Sequence, residues 1–185
     1  MSSADLLGHL FDNDLDIRGR TIYMYGEINE DNVCKWVKGL RFLDKTAGQI
    51  NVRLNSDGGD TVGGLALYSV IVGLSNHVEM IVDGACMSMA AVILQAADSR
   101  KATASAQFML HIGTSSEETN HVLNVESYVD YYKIKRKEID TIILNKVRER
   151  KPNMTMRKFE QATTIDKYMT AEQAVEWGLI DEVLE

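Results

Sequence analysis

The sequence predicts one α/β domain spanning residues 1–185, with a mainly parallel sheet covered by helices. Short β-rich segments alternate with helical segments over residues 21–112, and this alternation is typical of repeated βαβ units. Such units join their strands by right-handed crossovers, so the strands run parallel. A long helical pattern then covers about residues 118–150. The composition is that of a globular protein, and the chain is long enough to bury a sizeable core.

The first half of the chain supplies most of the predicted sheet. Residues 21–26 are β-rich and end at a glycine, which predicts a strand. Asn29 is a good N-cap for a helix whose apolar residues recur at helical spacing over residues 33–43. The same patterns predict a strand at 50–55, a turn at 56–60, a helix at 65–73, a strand at 78–82, a helix at 90–97, and strands at 102–105 and 107–112.

The long helix predicts an oligomer. Its length is about 45–50 Å at 1.5 Å per residue, whereas a globule of this size is only about 40 Å across. One end therefore projects, and its apolar stripe needs a second chain to cover it. The alternative is a kink near residues 133–137 that folds the helix back on itself.

The remaining elements follow from capping and turn residues. A short helix is predicted at 155–161 and a loop or strand at 164–169. Thr170 and Gln173 form a capping box for a helix over 171–177, which ends at a glycine, and a last strand follows at 179–184. Residues 1–16 are predicted to be an N-terminal arm, with one short helix near 5–11 or with order imposed by a neighbour.

Charge and composition argue against several classes of protein. A net charge of -7 speaks against nucleic acid or an anionic membrane as the main partner. No segment approaches the roughly 18 apolar residues of a membrane span, and no secretory signal is visible, so a cytoplasmic location is expected. Cys34 and Cys86 are expected to be buried free thiols in a reducing compartment, although a catalytic role for Cys86 stays open.

Ser88 is the first candidate for chemistry. It lies where the strand at 78–82 gives way to the helix at 90–97, and Gly84 is predicted to allow a tight turn there. A serine beside helix N-terminal amides is well placed to act as a nucleophile, because those amides stabilise negative charge. Serine is also a favoured N-cap residue, so the position fits a simple helix cap equally well.

A nucleophilic serine needs a base and an oxyanion site. Of the four histidines, His111 is the best candidate for the base because it ends an apolar strand at the sheet edge, although a histidine there can be merely hydrogen-bonded. Gly58 and Gly59 offer backbone amides that suit an oxyanion or a substrate strand. Spacing alone does not choose the acid that would orient the histidine; the candidates in or near loops are Asp57, Asp60, Asp83, Asp98, Asp166 and Asp181.

Four segments, which begin at Asn55, Gly84, Phe108 and Asp166, resemble the proteolytic subunit of the Clp protease, the ClpP family. The stretch 55–68, which begins Asn-Ser-Asp-Gly-Gly, resembles that family's Asn-Ser-Pro-Gly-Gly segment and the helix after it. Residues 84–90 resemble its Gly-x-x-x-Ser-Met nucleophile segment, and residues 108–111 resemble the strand that carries its histidine. The block 166–181 resembles its C-terminal segment. The four segments occur in family order, and the resemblance covers about residues 17–185.

The resemblance implies a ClpP/crotonase-like fold of repeated β-β-α units with a protruding long handle helix, at about residues 113–150. It implies a serine endopeptidase in which Ser88 attacks the peptide carbonyl, His111 moves the proton and Asp166 orients the imidazole. It also implies an oxyanion hole made by the amides of Gly59 and Met89, and substrate binding by Gly58, Gly59, Ile112 and Gly113.

The resemblance further implies a homo-oligomer of two stacked heptameric rings, a tetradecamer whose closed chamber admits peptides and unfolded proteins. In that family a separate AAA+ unfoldase uses ATP, and this chain has no phosphate-binding loop of its own. Neither a cofactor nor a metal ion is expected.

Some positions depart from the family pattern. Asp57 replaces the family's proline, and Ile112 and Gly113 replace the Gln-Pro that follows the histidine. The interval from His111 to Asp166 is also longer than usual, so the handle and its gating are expected to differ. The N-terminal region lacks a clear match to the family's axial-loop segment, which puts docking to a bacterial unfoldase in question. A phage or plastid source fits such a divergent member as well as a bacterial one.

Three other functions compete with the peptidase. The chain could be a latent or non-catalytic subunit of such a ring, or a phage protease that processes scaffold or capsid proteins. A crotonase-type acyl-CoA enzyme shares the general fold and a backbone oxyanion hole. That enzyme would need a glutamate near residues 58–59 or near Ser88, and the sequence shows none.

Overall fold

A computed structural model describes Gly8 and residues 14–111 and 122–185. Its strands are β1 Leu15–Asp16, β2 Thr21–Tyr25, β3 Ile50–Ser56, β4 Val78–Met87, β5 Ser99–Thr103, β6 Gln107–Leu110, β7 Lys167–Thr170 and β8 Glu182–Leu184. Its helices are α1 Glu30–Leu43, α2 Thr61–Val72, α3 Met89–Leu94, α4 Val122–Arg150, α5 Met156–Ala162 and α6 Ala171–Trp177. The mixed α/β class predicted from the sequence is therefore confirmed.

The described strands form one eight-stranded sheet in the order β1-β2-β3-β4-β5-β8, with β6 on the second half of β4 and β7 on β6. Along this path every neighbouring pair of strands from β2 to β8 is parallel, as the alternation of strands and helices predicts. Only β1 and β7 run antiparallel to their partners. Because the central strands are parallel, their carboxyl ends meet at one edge, where sites form in such sheets.

The core lies against one face of the sheet. Along β3, Ile50, Val52 and Leu54 are buried and alternate with half-buried polar residues. Trp36 and Leu40 of α1 are buried with them, which accounts for the helical spacing of the apolar residues in that segment. The alternation shows that each central strand buries one row of side chains completely and the other only in part.

Strand β4 is longer than the sequence predicts, and Gly84 lies inside it instead of in a turn. The strand changes partner along its length: its first half pairs with β5, and residues 85–87 pair with β6. The side chain of Asn55 accepts a hydrogen bond from the Ala85 N–H at 2.8 Å. A Cβ at Gly84 would lie 2.7 Å from the Asn55 Oδ1 atom, so the glycine serves this close approach.

Helix α4 has 29 residues and is continuous through positions 133–137, so the kink proposed as an alternative is wrong. Its length is about 44 Å. From residue 126 to residue 139 no side chain is buried, whereas Asp140, Ile143, Leu144 and Val147 are buried against the domain. The amino-terminal half therefore extends beyond the core, and it carries exposed apolar side chains at Val129, Tyr131 and Ile134.

The helix ends agree closely with the sequence signals. Asn29 caps α1 by accepting from the Asn32 N–H. The predicted capping box of Thr170 and Gln173 is present, and Gly178 ends α6 in the left-handed conformation. Helix α2 begins earlier than predicted because Asp60 caps it.

The strand at the C-terminus is shorter than predicted. Cys86 is buried as expected, but Cys34 is exposed, so the prediction of two buried thiols is half wrong.

Most of the predicted N-terminal arm, together with Ile112 and Gly113, lies outside the described residues. Within the described ranges, no helix is both long and apolar enough to cross a membrane.

Candidate active site

Ser88 forms the sharp turn between β4 and α3. Its backbone has φ 52° and ψ -122°, a conformation that residues with a Cβ rarely adopt. Strain of this kind costs about 1–3 kcal/mol and persists where the surroundings hold it. The side chain makes no capping hydrogen bond to α3. The helix-cap interpretation of Ser88 is therefore wrong, and its hydroxyl group is directed elsewhere.

The hydroxyl group of Ser88 meets the ring of His111. The Oγ atom lies 2.7 Å from Nε2, which is within hydrogen-bonding distance for a nucleophile and its base. The backbone fixes this approach, because the Ser88 N–H donates to the Met109 carbonyl at 2.9 Å. Met87 pairs with Met109 in the parallel ladder between β4 and β6. Sheet register therefore brings together two residues that lie 23 positions apart.

Gly58 and Gly59 lie against the turn at Ser88. The segment is held by Ile28, whose N–H donates to the Gly58 carbonyl at 2.9 Å and whose carbonyl accepts from the Asp60 N–H at 2.7 Å. A Cβ at Gly58 would lie 2.8 Å from the Ser88 Cβ, and a Cβ at Gly59 would lie 2.3 Å from the Ile28 carbonyl oxygen. Both positions therefore need glycine, and φ values of 105° and 144° add to that requirement.

Gly59 and Met89, whose amides the resemblance implies as the oxyanion hole, line the same cavity as Ser88. Within the described part of the chain, the amides of Gly59 and Met89 make no hydrogen bond outside regular elements, and Met89 is the first residue of α3. The first N–H groups of a helix have no partner inside it. The Met89 N–H therefore has no partner within α3.

Asp166 is the nearest of the candidate acids to His111. Its Oδ1 atom lies 3.8 Å from Nδ1, and its side chain is 53% exposed. This distance permits an ion pair but is too long for a hydrogen bond. Four of the other candidates are engaged elsewhere: Asp60 caps α2, Asp83 binds Arg53 and Tyr25, Asp98 accepts from the Val78 N–H, and Asp181 binds Arg100.

Arg136 is a contact that the sequence did not reveal. From α4 its Nη1 donates to the His111 carbonyl oxygen at 2.7 Å, and its Nε donates to Asp140 Oδ2 at 2.6 Å. The only sequence signal was an i,i+4 pair of opposite charge, which usually marks an exposed helix face. Here the pair is largely buried, because α4 passes over the end of β6.

A cleft of about 610 Å³ opens beside Ser88 and His111. It runs between the sheet edge and helices α4 and α5, and its apolar lining includes Met89, Val92, Ile139, Ile143 and Phe159. Polar side chains, including those of Asp60, Lys135 and Arg136, share the lining, and a cleft that combines apolar walls with polar groups is typical of a binding site.

Cys86 is not available as a nucleophile. It is fully buried, and burial raises the pKa of its thiol, so the reactive thiolate is not formed. Among the described residues there is no group of three or more His, Cys, Asp or Glu side chains that could hold a metal ion.

The fold and the Ser–His pair at a strained turn define the class as an α/β serine hydrolase. Comparison with known proteins identifies the family: the family model for the Clp protease matches residues 12–185. The chain therefore belongs to the Clp protease family, which assigns it as a serine endopeptidase. It is similar to the ATP-dependent Clp protease proteolytic subunit of Ligilactobacillus salivarius (strain UCC118), with 27% identity over 174 residues that cover 91% of this chain and 84% of the relative.

Proposed function

We propose that the protein hydrolyses peptides and unfolded proteins through Ser88, His111 and Asp166, inside a chamber formed by copies of the chain. The observation that carries this proposal is the 2.7 Å approach of Ser88 Oγ to His111 Nε2 at a strained turn. Strained backbone persists only where the surrounding structure holds it in place, and such positions cluster at functional sites.

In the proposed reaction, His111 Nε2 takes the hydroxyl proton as Ser88 Oγ attacks the carbonyl carbon of the peptide bond. The resulting oxyanion accepts hydrogen bonds from the amides of Gly59 and Met89. His111 then gives its proton to the leaving amine, and an acyl-enzyme remains on Ser88. Water, deprotonated by His111, hydrolyses that ester and restores the serine.

Asp166 completes the triad in this proposal by accepting from His111 Nδ1. The observed distance of 3.8 Å must shorten by about 1 Å to reach ordinary hydrogen-bond length. Such distances are often long before substrate binds. The same observation favours a second candidate, a latent subunit that becomes active only when Asp166 closes on the ring.

The two glycines also suit a substrate strand. Gly58 and Gly59 present backbone without side chains beside Ser88, and we propose that extended substrate binds along them. Ile112 and Gly113, proposed as further substrate contacts, lie outside the described residues.

Helix α4 supports the proposed assembly. Its exposed apolar side chains lie on the half that extends beyond the core, and a covering chain would bury them. We propose two stacked heptameric rings with α4 as the contact between them, a cytoplasmic location, and cooperation with a separate AAA+ unfoldase. The similar protein from Ligilactobacillus salivarius is named as the proteolytic subunit of an ATP-dependent Clp protease, which agrees with a separate ATP-using partner.

The proposal is tested with a fluorophosphonate probe on the purified chain. We expect one labelled site in the wild type, no labelling of Ser88→Ala, and strongly reduced labelling of His111→Ala. Ser69→Ala is a matched control, because the Ser69 hydroxyl group donates to the Leu65 carbonyl within its own helix. Negative-stain microscopy checks the assembly.

Each outcome of this test decides between the candidates. An assembled, folded particle that takes no label contradicts the peptidase, and labelling that appears only when a peptide or partner is added supports the latent subunit. Particles without sevenfold symmetry would contradict the rings. A phage role in processing scaffold proteins would show as cleavage of such a protein in preference to a generic unfolded one.

A further inference from the structure

One turn of helix α4 contacts His111, the proposed base, directly after the end of β6. The Arg136 guanidinium bridges Asp140 of its own helix and the backbone carbonyl of His111, at 2.6 Å and 2.7 Å. The side chains of Arg136 and Asp140 are only 16% and 4% exposed. Hydrogen bonds from a charged donor are short and about twice as strong as those between neutral groups.

Arg136 is held firmly from the helix side. Asp140 is followed along α4 by Ile143, Leu144 and Val147, which are buried in the core, so the turn that carries Asp140 cannot drift. Burial raises the pKa of Asp140, while the Arg136 guanidinium acts against that rise by stabilising the carboxylate. The guanidinium therefore has one fixed partner within its own helix and donates across to another element.

His111 has few other restraints from the part of the chain that the structure describes. Strand β6 ends at Leu110, so the His111 carbonyl lies just beyond the sheet ladder. Among the described residues, its ring is hydrogen-bonded only to Ser88, because Asp166 lies at 3.8 Å. The hydrogen bond from Arg136 thus fixes the peptide plane from which the imidazole projects.

We propose that Arg136, locked by Asp140, is a positioning residue that sets the orientation of His111 towards Ser88. This inference rests on the proposed function of that pair. A misplacement of about 1 Å between reacting groups costs on the order of 100-fold in rate, so the loss of this hydrogen bond has a measurable effect on catalysis even though Arg136 need not touch the substrate.

The test compares variants at one helix turn with a control on the same helix. Arg136→Gln removes the positive charge and the guanidinium group that binds Asp140 and His111 at the same time. Arg136→Lys keeps one charged donor for the His111 carbonyl. Lys133→Gln is the control, because Lys133 is exposed and, among the described residues, forms its ion pair with Asp130 of the same helix. For each variant we measure the fluorophosphonate labelling rate, kcat and KM on a fluorogenic peptide, the melting temperature and the assembly state.

We expect Arg136→Gln to lower both the labelling rate and kcat by about 10- to 100-fold with KM nearly unchanged. Arg136→Lys should recover a large part of that loss, and Lys133→Gln should match the wild type. A small probe does not reach along the cleft, so slower labelling reports the Ser–His pair and not substrate binding.

The inference is overturned if Arg136→Gln labels as fast as Lys133→Gln, or if only KM rises, which would make Arg136 a substrate contact. Should Arg136→Gln not fold, Asp140→Asn takes its place, because it removes the carboxylate that locks the guanidinium; labelling of that variant as fast as Lys133→Gln then overturns the inference. A wild type that takes no label at Ser88 defeats the proposed function itself, whereas a labelled wild type with an equally labelled Arg136→Gln defeats only this inference.

Discussion

Gly58 provides a sharp test of how the turn at Ser88 is supported. In Gly58→Ala the new Cβ would lie 2.8 Å from the Ser88 Cβ, 2.9 Å from the Met87 carbonyl oxygen and 3.1 Å from the Met89 nitrogen. Two of these three atoms are backbone, so no flexible side-chain end can move aside. The chain must also hold an alanine at φ 105°.

The expected cost has two parts. The backbone strain is about 1–3 kcal/mol, and forcing extra volume into a filled site adds about 1–3 kcal/mol. Carbon atoms in good contact are about 3.5–4.0 Å apart, so the gap of 2.8 Å to Ser88 must open by about 0.7 Å. A shift of that size in a nucleophile predicts a loss of about 10- to 100-fold in reactivity.

The matched control is Gly26→Ala. Gly26 has a nearly equal φ of 95°, but a Cβ there meets no atom within 4 Å, so this variant carries the strain without the contact. Fluorophosphonate labelling and thermal unfolding are measured on both variants. We expect both to lose stability, with the larger loss in Gly58→Ala, and only Gly58→Ala to lose labelling. Equal labelling of the two variants would refute the argument that Gly58 supports Ser88.

Three further predictions concern neighbouring features. Gly64→Ala places a Cβ 2.3 Å from the Met89 Cγ, so we expect a destabilisation of about 1–3 kcal/mol and slower labelling; unchanged labelling would contradict the contact. Phe159→Ala empties a buried position beside the cleft and should cost about 3–5 kcal/mol in urea unfolding, whereas a cost below 1 kcal/mol would show that the site collapses freely. Burial opposes the ionisation of Asp181, but hydrogen bonds from Arg100 outweigh it and lower the pKa of that carboxyl. A lowered folded-state pKa gives stability that is present above the unfolded pKa and lost as pH falls through the folded one, so Asp181→Asn should flatten the acid limb of a melting-temperature profile; an identical limb would contradict the coupling.

Much of the fold follows from local signals in the sequence. Helix caps and the regular spacing of apolar residues both depend on interactions within a few residues of the chain. These signals made it possible to predict the strands at 21–26 and 50–55 and the helix after Asn29. The capping box at Thr170 is of the same kind. The length of β4 was not predictable, because its second half exists only through pairing with β6.

The candidate site was predictable in its parts but not in its geometry. Ser88 and His111 were identified as possible partners, and the resemblance selected Asp166, yet only the folded chain shows a close Ser–His contact and a longer distance to the acid. The role of Arg136 depends on how α4 crosses β6, which no local pattern records. The exposure of Cys34 likewise depends on which face of α1 meets the sheet.

The sequence by itself determined the alternation of strands and helices, the turn residues, and the presence of a serine, a histidine and a glycine pair at strand ends, because these depend on interactions within a few residues. The tertiary structure decided which of these residues meet, because contacts between distant segments depend on sheet register and helix crossing. The register of β4 against β6 places Ser88 on His111, and the path of α4 places Arg136 behind it.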